Sequence, residues 1–286
     1  MSVTSFSKNI DSPKSRNLVF TSAGDNANID CWLKGSRNFD LWISYYGNEK
    51  NRYKNLSDFY ISKKGGKFPN LQYVYQHWED LLNHYEAILV LDDDIIINGS
   101  EISRLFEIRK QYDLWLLQPA FDPRGKISFR ITIVRPFSFL RYTNFVEVTC
   151  PLFRKDKLDA FMKIFDPALV GWGTEWWFLD LLATNIKGNV AIVDELSCIN
   201  PHDHMKDNQR EIDLLQSTPE RISNWERIKE QHHIKVQKRM VFATIKKPLS
   251  FFSVISAIKI IAIYSTYRCK RRVQKLKKRF HRYRYQ

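Results

Sequence analysis

Apolar residues in this chain fall into two patterns that alternate along its length. Short continuous apolar runs read as strands buried on both faces, and recurrence every three or four residues reads as an amphipathic helix. Residues 17–24 (NLVFTSAG) form a first strand that ends in small residues. Asp25, Asn26 and Asn28 are helix-cap types and predict a short helix through Cys31, Trp32 and Leu33 to Gly35. Residues 39–46 are a second strand, closed by Gly47 and Asn48. Leu71, Val74, Trp78, Leu81, Leu82 and Tyr85 have helical spacing and place a helix over 70–85. An apolar run from Ala87 to Leu91 follows, then Asp92, Asp93 and Asp94, then three isoleucines. Ser100 and Glu101 cap a helix that runs to Tyr112, and 114–119 is a buried strand with Pro119 ending it. Residues 145–153 are strand-like, and 155–165 are an amphipathic helix. Thr174 starts a further helix, 189–194 is a final strand, and 207–238 is helical and charged. Alternating strands and helices predict an α/β fold with a mostly parallel sheet flanked by helices.

The chemistry concentrates where the apolar run meets the three aspartates. Ligands of open parallel sheets sit beyond the carboxyl ends of the strands. Side chains alternate along a strand, so Asp92 and Asp94 point one way and Asp93 the other. Two carboxylates on one side suit Mg2+ or Mn2+, which accept such oxygens together with phosphate oxygens. A turn cap is the simpler role for an acid after a strand. Three acids held between apolar runs, however, put charge beside the core, which is unfavourable without a partner. The small residues after the first strand, Thr21 to Asp25, leave room for a nucleotide. Lys63, Lys64 and Lys67 around two glycines either wrap phosphates or form a solvated loop.

Further along, Gly171 and Gly173 bracket Trp172 before Thr174, Glu175 and Trp176. A carboxylate at a helix start is favoured by the helix dipole. Trp172, Trp176 and Trp177 would also exclude water from Glu175, raise its pKa and suit it to act as a general base. His202 and His204, beyond the final strand, can offer an imidazole to a metal.

The chain has 286 residues and a formal net charge of +14, distributed unevenly. Residues 231–286 hold 16 Lys and Arg and no Asp or Glu, which leaves 29 basic against 31 acidic residues elsewhere. The body is near neutral, so a basic globular nucleic-acid binder is excluded and no nucleic-acid partner is expected. In the tail, Lys246, Ser250, Ser253, Ser256 and Lys259 recur as a drifting polar stripe, and Pro248 predicts a helix start. The stretch 249–267 is long enough to span a bilayer, but Lys259 near its centre favours an amphipathic helix lying in an anionic membrane surface. The expected organisation is a flexible lead-in over 1–15, an α/β domain over 16–230 and a basic amphipathic tail over 231–286. Four scattered cysteines without a CxxC fit a reducing compartment, and the polar start carries no apolar signal segment. A cytoplasmic protein, peripheral on the membrane, is expected.

Taken together, the LDDDI and GWGTEWW stretches and the downstream histidines, in that order, resemble GT-A-fold glycosyltransferases over residues 17–204. The family labelled domain of unknown function 707 is similar in the same two stretches. The resemblance implies a GT-A-like fold, a nucleotide-sugar donor, and a glycan or lipid-linked acceptor in cell-surface polysaccharide or lipooligosaccharide synthesis. It implies a divalent cation (Mn2+ or Mg2+) on Asp92 and Asp94 with His202 or His204, and Glu175 as the base of an inverting reaction. Thr21, Ser22, Gly24, Asp25, Asp93 and Lys67 would line the donor site. Trp172, Gly173, Thr174 and Trp176 would meet the acceptor. Two readings from other classes are a metal-dependent phosphohydrolase using the same aspartates and a non-catalytic membrane adaptor.

Overall fold

The computed structural model describes residues 4–202, 211–248 and 250–283. Ten strands form one sheet: β1 (Thr4–Lys8), β2 (Asn17–Ala23), β3 (Asp40–Tyr45), β4 (Phe59–Ser62), β5 (Ala87–Val90), β6 (Leu116–Phe121), β7 (Ser138–Thr143), β8 (Leu152–Arg154), β9 (Val190–Cys198) and β10 (Val241–Lys246). Nine helices accompany them among the described residues: α1 (Ile29–Trp32), α2 (Lys67–His77), α3 (Glu79–Leu82), α4 (Gly99–Gln111), α5 (Lys155–Met162), α6 (Thr174–Leu181), α7 (Glu211–Leu215), α8 (Thr218–Gln231) and α9 (Phe251–Tyr283).

The strand order is β1-β4-β3-β2-β5-β8-β6-β9-β7-β10. Strands β4, β3, β2 and β5 are mutually parallel, as are β6 and β9. The short β8 lies antiparallel between β5 and β6, and β1 and β7 also run against their neighbours. The sheet is therefore mixed, although β2 to β6, β9 and β10 share one direction. Alternate residues of each central strand feed two apolar layers. Leu18, Phe20, Ile88 and Val90 pack with α2, α5, α6 and α8, while Val19, Leu89 and Leu91 pack with α1 and α4. A strand covered on both faces must be apolar throughout, which is why these stretches lack polar alternation.

Several expectations are corrected. The lead-in over 1–15 is not loose throughout, because β1 pairs with β4. The tail does not begin at 231, because β10 closes the far sheet edge against β7. The expected strand over 145–153 contracts to β8, and β4 and β7 were not foreseen. Pro119 does not end its strand: β6 runs on to Phe121, and the ladder to β9 shifts register between Pro119 and Ala120, where a ladder N–H is missing. The helix over 70–85 starts at Lys67 and breaks at Trp78. The cap of α4 is Asn98, whose side chain accepts from Glu101 N–H while Glu101 returns a bond to Asn98 N–H. The four cysteines are free thiols. Among the described residues, no helix is long and apolar enough to cross a membrane. Helix α9 is docked instead, with Ala257 buried and Ile260 packed on Ala120, Val134 and Ile192.

One buried ion pair ties the antiparallel half together. Arg141 of β7 donates from Nε to Asp194 Oδ2 at 2.7 Å and from Nη2 to Asp194 Oδ1 at 2.9 Å, and both side chains are fully buried. The remaining guanidinium donors reach the carbonyls of Ile131 and Ile133. Removing one partner strands a buried charge. Arg141→Met is expected to lower the unfolding free energy by about 3–5 kcal/mol, measured by urea denaturation, with Asp194→Leu added to it restoring much of the loss.

Candidate active site

The carboxyl end of β5 is held by one lysine. Lys67 Nζ, at the first residue of α2, lies 2.7 Å from Asp92 Oδ1 and donates to the carbonyls of Val90 (3.2 Å), Val148 (2.7 Å) and Thr149 (3.0 Å). An ammonium has three protons, so these four oxygens saturate it. Expected at the donor phosphates, Lys67 instead ties β5 to the segment before β8. Asp92 stays half-exposed beside it.

Asp93 lies beyond the end of β5, in the turn that Ile95 N–H closes on Asp92 O at 3.2 Å. Its Oδ2 accepts from Gly24 N–H at 2.8 Å and Tyr46 Oη–H at 3.0 Å. Burial pushes its pKa up to about 6; the Gly24 N–H opposes this, and the neighbouring Asp94 and Asp92 charges add to it. Gly24 has no room for a side chain, since a Cβ there would lie 2.8 Å from the Tyr46 ring. Asn28 secures the aspartate turn, donating its N–H to Asp93 O (2.7 Å) and its amide to Asp94 O (2.6 Å). Thr21 is fully buried, and Ser22 Oγ accepts from Asn70 Nδ2 at 3.0 Å, so both serve packing. Asp25 is also committed: it accepts from Tyr45 Oη–H and from the N–H groups of Asn48 and Glu49. Burial raises the Asp25 pKa, but these bonds and Arg52 outweigh it and hold the carboxyl below its usual value.

The second half of the site is the turn into α6. Gly171 (φ 78°) and Gly173 (φ 83°) are left-handed, a conformation that favours glycine. They leave Trp172 half in solvent, 51% exposed. Trp225 of α8 covers Gly173 so closely that a Cβ would sit 2.3 Å from its ring. Thr174 and Glu175 are buried, and Thr174 Oγ1 and Glu175 Oε2 have no hydrogen-bond partner. Burial pushes the Glu175 carboxyl up to about 7, with its own backbone N–H and Arg239 opposing. Trp176 packs on Phe145 with ring centroids 5.2 Å apart, and Trp177 is core.

Two charged residues here were missed by sequence reading. Glu147 is buried; its Oε1 accepts from Thr132 Oγ1 at 2.6 Å, and its N–H donates to Gln118 Oε1 at 2.6 Å. Burial pushes Glu147 up to about 8; Thr132 and Arg239 work against this, and the Glu175 and Asp92 charges work with it. Glu147 thus senses both halves of the site. Arg239, in the segment before β10, lies over the rings of Phe129 (4.0 Å), Phe145 (4.7 Å) and Trp176 (5.0 Å). A lone Glu between Val146 and Val148 was a usable signal, because a carboxyl inside an apolar run needs a reason to be there. Arg239 gave none, being one of many basic residues in the tail.

Of the two expected histidines, His202 alone falls among the described residues. His202 Nε2 lies 3.1 Å from Arg124 O, and His204 lies outside the described residues. Among the described residues, no cluster of three or more His, Cys, Asp or Glu is arranged to hold a metal ion.

No family model matches this sequence, and no curated protein matches it. Solved structures do. S. aureus TarS 1–349 in complex with UDP-GlcNAc superposes with a TM-score of 0.50 at 10% identity, over 75% of this chain and 64% of that one. The fold is shared with TarS. TarS 1–349 in a second crystal structure gives a TM-score of 0.46 at 11% identity over 65% of this chain. The present chain covers 60% and 64% of those two TarS 1–349 chains.

Two measurements test this geometry. Gly173→Ala puts a Cβ at positive φ against Trp225 and is expected to destabilise the protein by at least about 1 kcal/mol in urea denaturation. Glu147 and Glu175, with pKa values raised from 4.5 to about 8 and about 7, bind protons more tightly folded than unfolded. Unfolding free energy should therefore decline as pH rises from about 4.5 to 8. Glu147→Gln is expected to flatten that slope, and an unchanged slope would refute the assignment.

Proposed function

We propose that this chain is a glycosyltransferase that moves a sugar from a nucleotide-sugar donor, with a UDP-sugar as the first candidate, to a glycan or lipid-linked acceptor. The observation that carries this reading is the pair of buried, unpartnered oxygens at the start of α6, Thr174 Oγ1 and Glu175 Oε2, linked to the aspartates through Glu147, which feels the charges of both Glu175 and Asp92. Buried polar atoms without partners are uncommon, and a ligand hydroxyl satisfies both. The shared fold with a protein crystallised with UDP-GlcNAc supports a nucleotide sugar as the other substrate.

In this reading Glu175 accepts the proton of the acceptor hydroxyl. A carboxyl held near neutral pKa combines a usable fraction of base with real proton affinity. Attack from the side of this base would invert the anomeric centre. Trp172, exposed between two left-handed glycines, offers a face for a sugar ring. Gly24 and Asp93 place the end of β2 against the aspartate turn, where the donor would lie. Asp92 and Asp94, two residues apart, fit Mg2+ or Mn2+ held by one or two carboxylates with phosphate oxygens and water. Such a cation would offset the charge developing on the leaving diphosphate. His202 and His204 are the remaining candidates for its sphere. The basic residues of α9 would hold the enzyme on the cytoplasmic face of an anionic membrane, at about 1 kcal/mol for each one near the surface.

The test combines binding and turnover. A UDP-sugar at about 100 times its dissociation constant should stabilise the protein by about 2.7 kcal/mol in a thermal-shift assay with Mn2+, and Asp94→Ala should abolish the shift. Glu175→Gln should retain donor binding but lose roughly a hundredfold to ten-thousandfold in sugar transfer. Transfer by the parent protein should fall as pH drops below about 7, because the base must be deprotonated. Unimpaired transfer by Glu175→Gln would sink the assignment.

A further inference from the structure

A second site lies away from these residues, where β7 begins and β10 ends. An open pocket of about 430 Å3 is lined by Arg135, Phe137, Ser138, Thr244, Lys246 and Lys247 among others. Its walls are built rather than incidental. Ser138 pairs with Lys246 across the β7–β10 ladder, and the register shifts between Ile245 and Lys246. Such a bulge re-aims the side chain that follows it. Phe137 holds φ at 61°, uncommon for a bulky residue, while its carbonyl accepts from Lys247 N–H at 2.9 Å.

Three cations line the pocket, and none of them is engaged in a salt bridge among the described residues. Among the described residues, Arg135, Lys246 and Lys247 have no carboxylate within salt-bridge distance. The nearby acids are spent elsewhere. Asp194 is held by Arg141 and by the backbone N–H of Arg135, and Glu195 pairs with Arg104 at 3.3 Å. Lys247 Nζ reaches only the Asp194 carbonyl, at 3.3 Å. Burial pulls the pKa of both Arg135 and Lys247 below their ordinary values, with Asp194 opposing at both and Glu195 at Lys247. The decisive feature is Ser138: it is 3% exposed, and its hydroxyl has no hydrogen-bond partner. An unsatisfied buried hydroxyl beside three cations that form no salt bridge asks for an anion with several acceptor oxygens. A carboxylate brings one charge and two oxygens. A phosphate group brings up to two charges and three strong acceptors.

We propose that this pocket binds the phosphate group of an organic phosphate, with Lys246, Lys247 and Arg135 neutralising it and Ser138 donating a hydrogen bond. The pocket adjoins the docked part of α9, whose Tyr264 accepts from Arg130 at 3.5 Å and adds to the field on Arg135. Two sources share this chemistry, a phospholipid headgroup and a soluble phosphate ester. The inference does not rest on the glycosyltransferase reading, since none of these residues belongs to the candidate active site.

The experiment uses the full chain with three probes: inorganic phosphate and glycerol 3-phosphate by calorimetry, and co-sedimentation with phosphatidylcholine vesicles with and without phosphatidylglycerol. The variants are Lys246→Gln/Lys247→Gln, Ser138→Ala and, outside the pocket on α4, Lys110→Gln. Ser138→Ala removes a hydroxyl that bonds to nothing in the protein, so it stays folded and keeps the test readable if the lysine pair destabilises β10. The expected result is a loss of about tenfold or more in affinity for the lysine pair and a smaller loss for Ser138→Ala, with Lys110→Gln retaining the phosphate site. Loss seen with the soluble probes identifies a phosphate ester; loss seen only with phosphatidylglycerol vesicles identifies a headgroup. Absence of binding to every probe, or binding that Ser138→Ala and the lysine pair leave unchanged, overturns the proposal. Asp94→Ala separates the two sites, because it should abolish nucleotide-sugar binding and leave this one intact.

Discussion

Lys67 holds the candidate site together. Its ammonium joins Asp92 to the carbonyls of Val90, Val148 and Thr149, and so closes the gap between the end of β5 and the irregular segment that leads into β8. The regular β5–β8 ladder spans only Ala87 to Leu89, and beyond it single backbone bonds continue from Val90 N–H to Pro151 O and from Asp92 N–H to Thr149 O. Carbonyl oxygens at a buried strand end take donors on both lone pairs where they can. One charged side chain, 10% exposed, adds its donors to these. The same segment carries Glu147, so a cation on α2 also sets how near the second carboxyl lies to the first.

The electrostatics of the site follow from that arrangement. Asp92, Asp93 and Asp94 lie beyond the end of central strand β5, and Glu147 feels both Asp92 and Glu175, with Lys67 and Arg239 as the nearby cations identified by their contacts and fields. Negative charge is in excess, and the structure answers in two ways. Asp93 and Glu147 take hydrogen bonds from Tyr46, Gly24 and Thr132. Burial then holds Asp93, Glu147 and Glu175 with raised proton affinity.

The C-terminal segment is part of this assembly. It returns Arg239 to the aromatic rings beside Glu175, adds β10 to the sheet and then docks α9 through Ala257 and Ile260. The first turns of α9 are therefore docked on the fold, and two lysines of the same segment, Lys246 and Lys247, line the phosphate pocket.

Much of the central architecture was legible in the residues themselves. Mostly apolar runs located β2, β3, β5, β6 and β9, because burial on both faces leaves few polar positions in such strands. The three aspartates follow the apolar run of β5 but sit in a turn beyond it, and the glycines around Trp172 lie in a turn with left-handed backbone before α6. What the residues could not disclose is pairing at a distance. Thr4–Lys8 and Val241–Lys246 look like tail and become edge strands, because their partners lie 45 or more residues away. Lys67 and Asp25 look like ligand contacts, yet tertiary packing brings them acceptors or donors from other elements and uses them up. Glu147 and Arg239 become site residues only when the segment before β8 and the segment before β10 fold against the start of α6. Local pattern determined which stretches are buried; the three-dimensional fold decided which charges meet.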